Sequence, residues 1–596
     1  MREQRRGLKL LLGTAFRTGR WLMVSTLLEP LGRLVNPLFA ILVGLLLDAA
    51  IRGDARAATV AIVAILASQA VFWVVTFLGS DLRITLSEKV GFAFDHEIAR
   101  LSATLPGLDH HERADYQDRL ELLRQNQGVL GGSMNSLVNT ANALIGAVGA
   151  LVAVAYLNPL LLGLALFAIP GPLVAVWNQR WQKAAEEQSA APSRLARHLR
   201  RLAYDRDAGM EIRVFGLREE IASRVRGSWL ASRRPALLAA RRGALANGAR
   251  DVIFSVGLGG AILFMLWQAT RGEATVGAVV ATVVLCQQVQ MYVLWPVMEL
   301  ARFGTSLRAA GRLLWLQDYA AAQRAPLARR EAGRPLPGRL ASGIVFDNVS
   351  FCYPGSGRWV LRNLSLTIPA GSVTALVGEN GAGKTTLVKL LTRMYEPTEG
   401  RILVDGIDLA DLDVERWRAR LSAAFQDFAR LEFAARENVG VGDLPRRDDE
   451  AAVFAALDRA GAADVVPTLP DGTATQLGAS WEGGVDLSTG QWQKLALGRA
   501  LMRANPLLVF FDEPTASLDA PTEHALFERY ADAARSGSAY GMVTVLVSHR
   551  FSTVSGADLI VVLDGARVAE SGSHEELIRR DGLYADLYSL QANGYR

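Results

Sequence analysis

The sequence predicts an α-helical membrane domain of six spans followed by an α/β domain of the phosphate-loop type. Three observations predict it. Six apolar stretches of about span length fall before residue 304. After a Pro- and Arg-rich stretch, short β-type runs alternate with helix-length segments. A glycine-rich loop ending in Lys384 and Thr385 lies between an apolar run and a helix start.

At 596 residues the chain is too long for one core. Hydrophobic residues make up 50 % and charged residues 21 %. With a mean hydropathy of +0.18, this balance points to membrane spans. A net charge of +5, without a basic stripe beside aromatics, argues against nucleic acid as a partner. Cys286 and Cys352 fall in different domains and suggest neither a disulfide nor a zinc site. The N-terminal arginines precede no short apolar core with a cleavage site, so no cleaved signal peptide is expected.

The six stretches cover residues 21–47, 57–78, 134–157, 159–176, 252–268 and 276–298. The segments after the second and fourth are long and basic, whereas those after the first, third and fifth are short. The positive-inside rule therefore expects both termini and the long loops to be cytoplasmic, in a plasma or inner membrane. Glu29 and Arg33, four apart in the first span, can pair along one helix face or sit as an interfacial pair. Pro30 and Pro37 are expected to bend that helix. Gln287, Gln288, Gln290, Tyr292 and Trp295 in the sixth span, and Asn139 and Asn142 in the third, rarely face lipid. They either line a cavity or join helices by hydrogen bonds.

Two connectors, residues 105–116 and 211–220, combine charge with short amphipathic runs. His110 and His111 are adjacent and cannot share a helix face as metal ligands would, so they are expected at the surface. The expected division is a membrane domain over 1–325, a linker over 326–342, an α/β domain over 343–582 and a tail over 583–596.

In the α/β domain, residues 344–353 and 364–368 alternate as antiparallel strands do. Tyr353 follows the first and is placed either to stack on a base or as a strand-end aromatic. Gly378, Gly383, Lys384 and Thr385 fit the phosphate-loop pattern. A triphosphate needs converging N–H donors, so the backbone of Gly378, Glu379, Asn380, Gly381, Ala382, Gly383, Lys384, Thr385 and Thr386 must approach it closely. Lys384 can reach the outer phosphates and the Thr385 hydroxyl can ligate Mg²⁺. Leu487, Ser488, Thr489, Gly490 and Gln491 make a second loop feeding a helix N-terminus, a second anion site. The apolar run 507–511 ends in two carboxylates. Asp512 is placed to hold Mg²⁺, and Glu513 to take a proton from an attacking water. A second apolar run, 543–547, precedes His549, which can contact the terminal phosphate.

These residues resemble the ATP-binding cassette (ABC) transporter family, in particular exporter-type half-transporters. Residues 378–385 resemble Walker A, residues 507–512 Walker B, and Glu513 the catalytic glutamate. Tyr353 resembles the adenine-stacking A-loop, Gln426 the Q-loop that approaches Mg²⁺, Asp519 the D-loop and His549 the switch histidine. Residues 487–491 resemble the signature with Thr489 at its third position, which keeps its backbone N–H. The connectors around 108–116 and 215–220 look like coupling helices, and residues 477–484 depart from the usual exporter sequence. No peptidase domain is expected ahead of the first span.

The resemblance implies ATP-driven export of a hydrophobic or amphipathic lipid, peptide or drug, with ATP and Mg²⁺ as cofactors. It also implies a second half-transporter as partner, in a homodimer or with a sister chain. Uptake on the exporter fold, and an ATP-gated channel or non-transport regulator, are the competing classes.

Overall fold

The computed structural model describes residues 2–26, 28–330, 335–512, 540–548 and 554–594. The chain divides into two units, Met1–Leu101 with Glu121–Gln317, and Ser102–Leu120 with Asp318–Arg596.

The first unit is helical. Among the described residues six helical stretches are long and apolar enough to cross a membrane: Arg20–Ile51, Ala55–Ala103, Ser133–Leu157, Pro159–Tyr204, Arg218–Thr270 and Val276–Ala325. A span needs about 20 residues. The 49, 53 and 55 residues of Ala55–Ala103, Arg218–Thr270 and Val276–Arg330 therefore run well past the hydrocarbon on one side. The last helix continues into the stretch expected as linker, because Ala320, Ala321, Ala322, Gln323 and Arg324 are strong helix formers.

The first span is broken into Arg20–Thr26, Glu29–Gly32 and Val35–Ile51. Pro30 opens the middle piece, and bonds there reach three residues back, as from Arg33 N to Pro30 O at 3.1 Å. Pro37 lies in the first turn of Val35–Ile51, where no intrahelical donor is required. Packing between helices overturns the expected pairing of Glu29 with Arg33. Glu29 instead forms an ion pair with Arg83 at 3.5 Å and accepts from Asn142 Nδ2 at 3.0 Å. Arg83 also donates to Asn139 at 2.5 Å. The polar residues of the third and sixth spans thus join helices: Gln288 Nε2 donates to Asn36 O, Asn36 Nδ2 to the Tyr292 hydroxyl, and Gln290 to Asp251.

At the far end of these spans, Asp48 accepts from Gly277 N at 2.7 Å and caps the sixth helix. The helices cross there on two glycines, and a Cβ on Gly277 would stand 2.0 Å from Gly44 O.

Among the described residues the second unit holds two sheets. Strands β1 (Gly343–Cys352), β2 (Trp359–Pro369), β4 (Glu399–Val404) and β5 (Ile407–Asp408) form an antiparallel sheet in the order β2-β1-β4-β5. The other sheet runs β10-β9-β3-β8-β7-β6. It comprises β3 (Val373–Gly378), β6 (Leu421–Ala424), β7 (Leu508–Asp512), β8 (Val543–Val547), β9 (Leu559–Asp564) and β10 (Arg567–Gly572). Every residue of β7 and β8 is buried, as expected of parallel strands covered on both faces. One core packs both sheets against the helix Lys384–Leu391, and another packs Ala435–Gly440, Glu450–Arg459 and Thr489–Ala500 on β6 and β7.

The segment 102–120 belongs to this second unit. Leu108 N bonds Met394 O at 3.2 Å, Arg418 Nη2 bonds Pro106 O at 2.5 Å, and Glu112 lies 3.6 Å from Lys389 Nζ. His110 is buried there rather than at the surface, with its ring 4.1 Å from that of His111 and 5.1 Å from that of Tyr116. The correction follows from packing across the sequence, which adjacency of two histidines does not reveal. Burial, helped by the charge of His111, lowers the His110 pKa to about 4. In the other connector, Phe215 and Leu217 are exposed between the helices Arg206–Val214 and Arg218–Thr270.

Gly277→Val should lower the thermal midpoint in detergent, because overpacking at the Gly44 backbone costs about 1–3 kcal/mol; an unchanged midpoint contradicts the tight crossing. His110 is held neutral in the fold, so its contribution is whole above pH 6.5 and lost as pH falls toward about 4. The unfolding midpoint of the wild type should therefore drop more over that window than that of His110→Phe. Parallel pH profiles contradict the burial of a neutral ring.

Candidate functional site

The site is built by the parallel sheet. β3, β9, β8, β7 and β6 run the same way, so their C-terminal ends share one edge. Register aligns Leu376 with Val547 and Val547 with Asp512, while Ala424 faces Phe511. The loop after β3, the residue Gln426 after β6 and the end of β7 thus meet at that edge.

The loop after β3 turns through glycines that no other residue could replace without strain. Gly378, Gly381 and Gly383 have φ of +149°, +84° and +105°. A Cβ on Gly378 would stand 2.4 Å from Leu563 O, and one on Gly383 2.7 Å from Leu361 Cδ2. A Cβ on Gly381 would meet nothing within 4 Å, so space beside the loop is open there. Glu379 and Asn380 are exposed on the loop, and Ala382 donates its N–H to Glu379 O at 3.2 Å. Gly383 starts the helix Lys384–Leu391, whose first intrahelical donor is Leu387 N to Gly383 O. The N–H groups of Lys384, Thr385 and Thr386 precede that bond and point out of the helix end.

Lys384 is buried, and its ammonium donates to Gly378 O at 2.7 Å and Glu379 O at 3.0 Å. The cation is thereby folded into the loop, beside the amides of the helix start, where its charge adds to the positive helix end. The Thr385 side chain is exposed, and Asp512 is buried at the end of β7. A hydroxyl, one carboxylate and the oxygens of a polyphosphate are the hard donor set that Mg²⁺ takes. The open space beside the loop and this donor set fit a Mg²⁺ polyphosphate.

Tyr353 follows β1 and leans on the helix Lys384–Leu391. Its hydroxyl lies 3.1 Å from Thr386 Oγ1, and its ring meets Phe351 and Tyr395 edge-on at 5.0 and 5.4 Å. Lys389 Nζ stands 5.0 Å from that ring and 3.3 Å from its hydroxyl. Sequence reasoning did not single out Lys389, because a lysine one turn into an amphipathic helix looks like any solvated charge. Its distinction comes from Glu112, which reaches it from a segment 277 positions earlier in the chain.

Ser488 caps the helix Thr489–Ala500 with a full capping box. Its hydroxyl accepts from Gln491 N, and the Gln491 side chain accepts from Ser488 N. Ser488 and Thr489 are exposed, Gly490 and Gln491 half-buried, while Leu487 and Trp492 anchor the turn in the core. Ahead of it, Glu432 accepts from Ser480 at 2.7 Å and Trp481 at 2.8 Å and fixes the loop 477–484. Gln426 is exposed. Glu513, Asp519 and His549 lie outside the described residues.

Residues 361–516 match the ABC transporter family. An ATP-dependent lipid A-core flippase of Burkholderia orbicola is 36 % identical over 353 residues, covering 59 % of this chain and 56 % of that protein. A mitochondrial iron-sulfur clusters transporter ATM1 of Saccharomyces cerevisiae is 32 % identical over 383 residues, covering 64 % and 53 %. The chain spans about half the length of the curated relatives it matches. A solved structure of a bacterial Atm1-family ABC exporter with ATP bound superposes with a TM-score of 0.74 at 26 % identity, covering 96 % of this chain and 99 % of that one. Among the described residues, six apolar helices accompany a phosphate loop at a parallel sheet edge, residues 361–516 form an ABC transporter domain, and the fold is that of the Atm1-family ABC exporter.

Proposed function

We propose that the chain is one half of an ATP-driven exporter that moves a hydrophobic or amphipathic substrate across a membrane by alternating access. The observation that carries this reading is the joining, in one chain, of six membrane-length helices to a polyphosphate cradle whose lysine is already folded into place. The relatives' names span a lipid A-core flippase and an iron-sulfur clusters transporter, two cargoes on one architecture. The basic extensions on one side support a plasma or inner membrane location with the termini and the ATPase domain in the cytoplasm.

Within this reading, ATP lies in the loop 378–386 with its adenine on Tyr353. Lys384 moves from the Gly378 and Glu379 carbonyls to the outer phosphates, exchanging two neutral acceptors for charged ones. Thr385, Gln426 and Asp512 would hold Mg²⁺, which when bound offsets charge on the outer phosphates. Glu513 accepts the proton of the attacking water, His549 contacts the terminal phosphate and Asp519 meets the partner. The helix end at Ser488, Thr489, Gly490 and Gln491, exposed at Ser488 and Thr489, serves the nucleotide of a second copy. Two helix N-termini then flank one triphosphate, so ATP holds the pair together and hydrolysis releases it. A ligand that binds the closed pair more tightly than the open one suffices to drive the cycle. A homodimer has two competent sites.

Glu513→Gln in lipid nanodiscs should bind ATP yet hydrolyse it about 100-fold more slowly or worse; undiminished turnover removes Glu513 as the base. Lys384→Ala should weaken ATP binding by about tenfold, read by equilibrium titration, and wild-type affinity removes Lys384 from the phosphate site. Lys389→Met removes the cation beside the Tyr353 ring and should weaken ATP binding by about threefold, while an unchanged affinity limits Lys389 to its contact with Glu112. Inside-out vesicles should accumulate a labelled amphiphile against its gradient with ATP. Passive equilibration alone contradicts a pump.

A further inference from the structure

The break in the first span leaves one cation without an acceptor. Arg33 follows the short helix Glu29–Gly32. Its guanidinium sits between two aromatic rings, 5.7 Å from the Phe72 centroid and 5.6 Å from the Trp295 centroid. Its Nε is buried with no hydrogen-bond partner among the described residues. No carboxylate among those residues reaches it.

Neighbouring charges are already matched. Glu29 is paired with Arg83 and bonded to Asn142. Glu299, also buried, accepts from Arg302 at 3.0 Å and from the Trp295 indole at 3.3 Å. Arg83 pairs with Glu29 and Arg302 with Glu299, whereas Arg33 forms no ion pair among the described residues. The Trp295–Glu299 bond holds the indole, so one wall of the aromatic slot is fixed. Gln288 Oε1, on a residue that donates to Asn36 O, is another buried atom with no hydrogen-bond partner among the described residues, as are Thr76 Oγ1 and Glu299 Oε2.

An arginine within a membrane span is costly unless paired. Aromatic faces repay part of that cost, yet they leave every N–H of the fork unbonded. Native structures rarely leave such a group unmatched unless an ion, water or ligand completes it. Irregular backbone at membrane depth likewise persists where protein covers it or a cavity is lined by it.

We propose that Arg33, clamped by Phe72 and Trp295, binds the anionic head group of an amphipathic small molecule. The guanidinium fork takes a phosphate or carboxylate, and the two rings and the exposed apolar side chains beside them take the attached hydrocarbon. This rests on the exporter reading only for the fate of the bound molecule. Recognition itself is an equilibrium property that needs no ATP.

The test uses the full chain in phosphatidylcholine nanodiscs, without nucleotide, by isothermal titration. The probes are lauroyl lysophosphatidate, sodium laurate, lauroyl lysophosphatidylcholine, monolaurin and inorganic phosphate. Lysophosphatidate and laurate report the two sources of anionic head group. Wild type should bind one or both of them more tightly than the choline ester or monolaurin, and inorganic phosphate weakly. Arg33→Gln should weaken the preferred anion by about tenfold, the value of a charged hydrogen bond, and leave monolaurin unaltered. Arg33→Lys should recover part of the loss.

Wild-type affinity of Arg33→Gln for both anions overturns the proposal, as does an equal loss for monolaurin, which marks a packing defect. Inorganic phosphate binding as tightly as lysophosphatidate overturns the amphiphile. ATP turnover of the same samples is measured separately. Its absence alongside anion-selective binding counts against the exporter and not against the Arg33 site.

Discussion

The cassette half of the structure depends on one close approach, that of the 378–383 backbone to the place of a polyphosphate. Glycine is required at Gly378 because Leu563 O occupies the space of a Cβ, and at Gly383 because Leu361 does. Both neighbours are themselves core residues, one on β9 and one on β2. The cradle is therefore shaped by the two sheets together. Lys384 completes it by bonding two loop carbonyls, which keeps a charge poised beside exposed amides. Strands β7 and β8 add Asp512 at the same edge because their register with β3 leaves no slack.

The segment 102–120 ties membrane-helix sequence to this machinery. It is joined to the loop around Met394 and to Arg418, and through Glu112 to Lys389, whose ammonium sits on the Tyr353 ring. A displacement of that segment would be felt first by Lys389, in the last turn of the helix that Lys384 opens. The membrane half has its own polar order. Hydrogen bonds between spans hold the broken first helix, and Arg33 lies there between two aromatic rings.

Much of this architecture was legible because it rests on patterns of short range. Span-length apolar runs need no tertiary information, and the run 507–511 ends in Asp512 whatever surrounds it. The loop at 378–385 declares itself because only glycines, a lysine and a hydroxyl in that order perform its task. The pairing of Glu29 was illegible because its partner is set by packing between helices and not by spacing along one. Arg83, its actual partner, stands on another helix. His110 looked superficial for the same reason: its cover, including Tyr116 and the neighbouring loop around Met394, is assembled by long-range packing. The extent of the last helix was underestimated because prolines and arginines suggested a linker, whereas the alanines before them sustain the helix to Arg330.

In the proposed dimer the loop at 378–386 of one copy and the helix end at Ser488 of another share a nucleotide. Paired cysteines test this sharing most directly, with Asn380→Cys and Thr489→Cys placed in a chain whose Cys286 and Cys352 are replaced by alanine. Mild oxidation in nanodiscs with ATP should give a covalent dimer in high yield, with far less when nucleotide is absent. Cross-links that do not depend on ATP, or none between chains under any condition, would contradict the account.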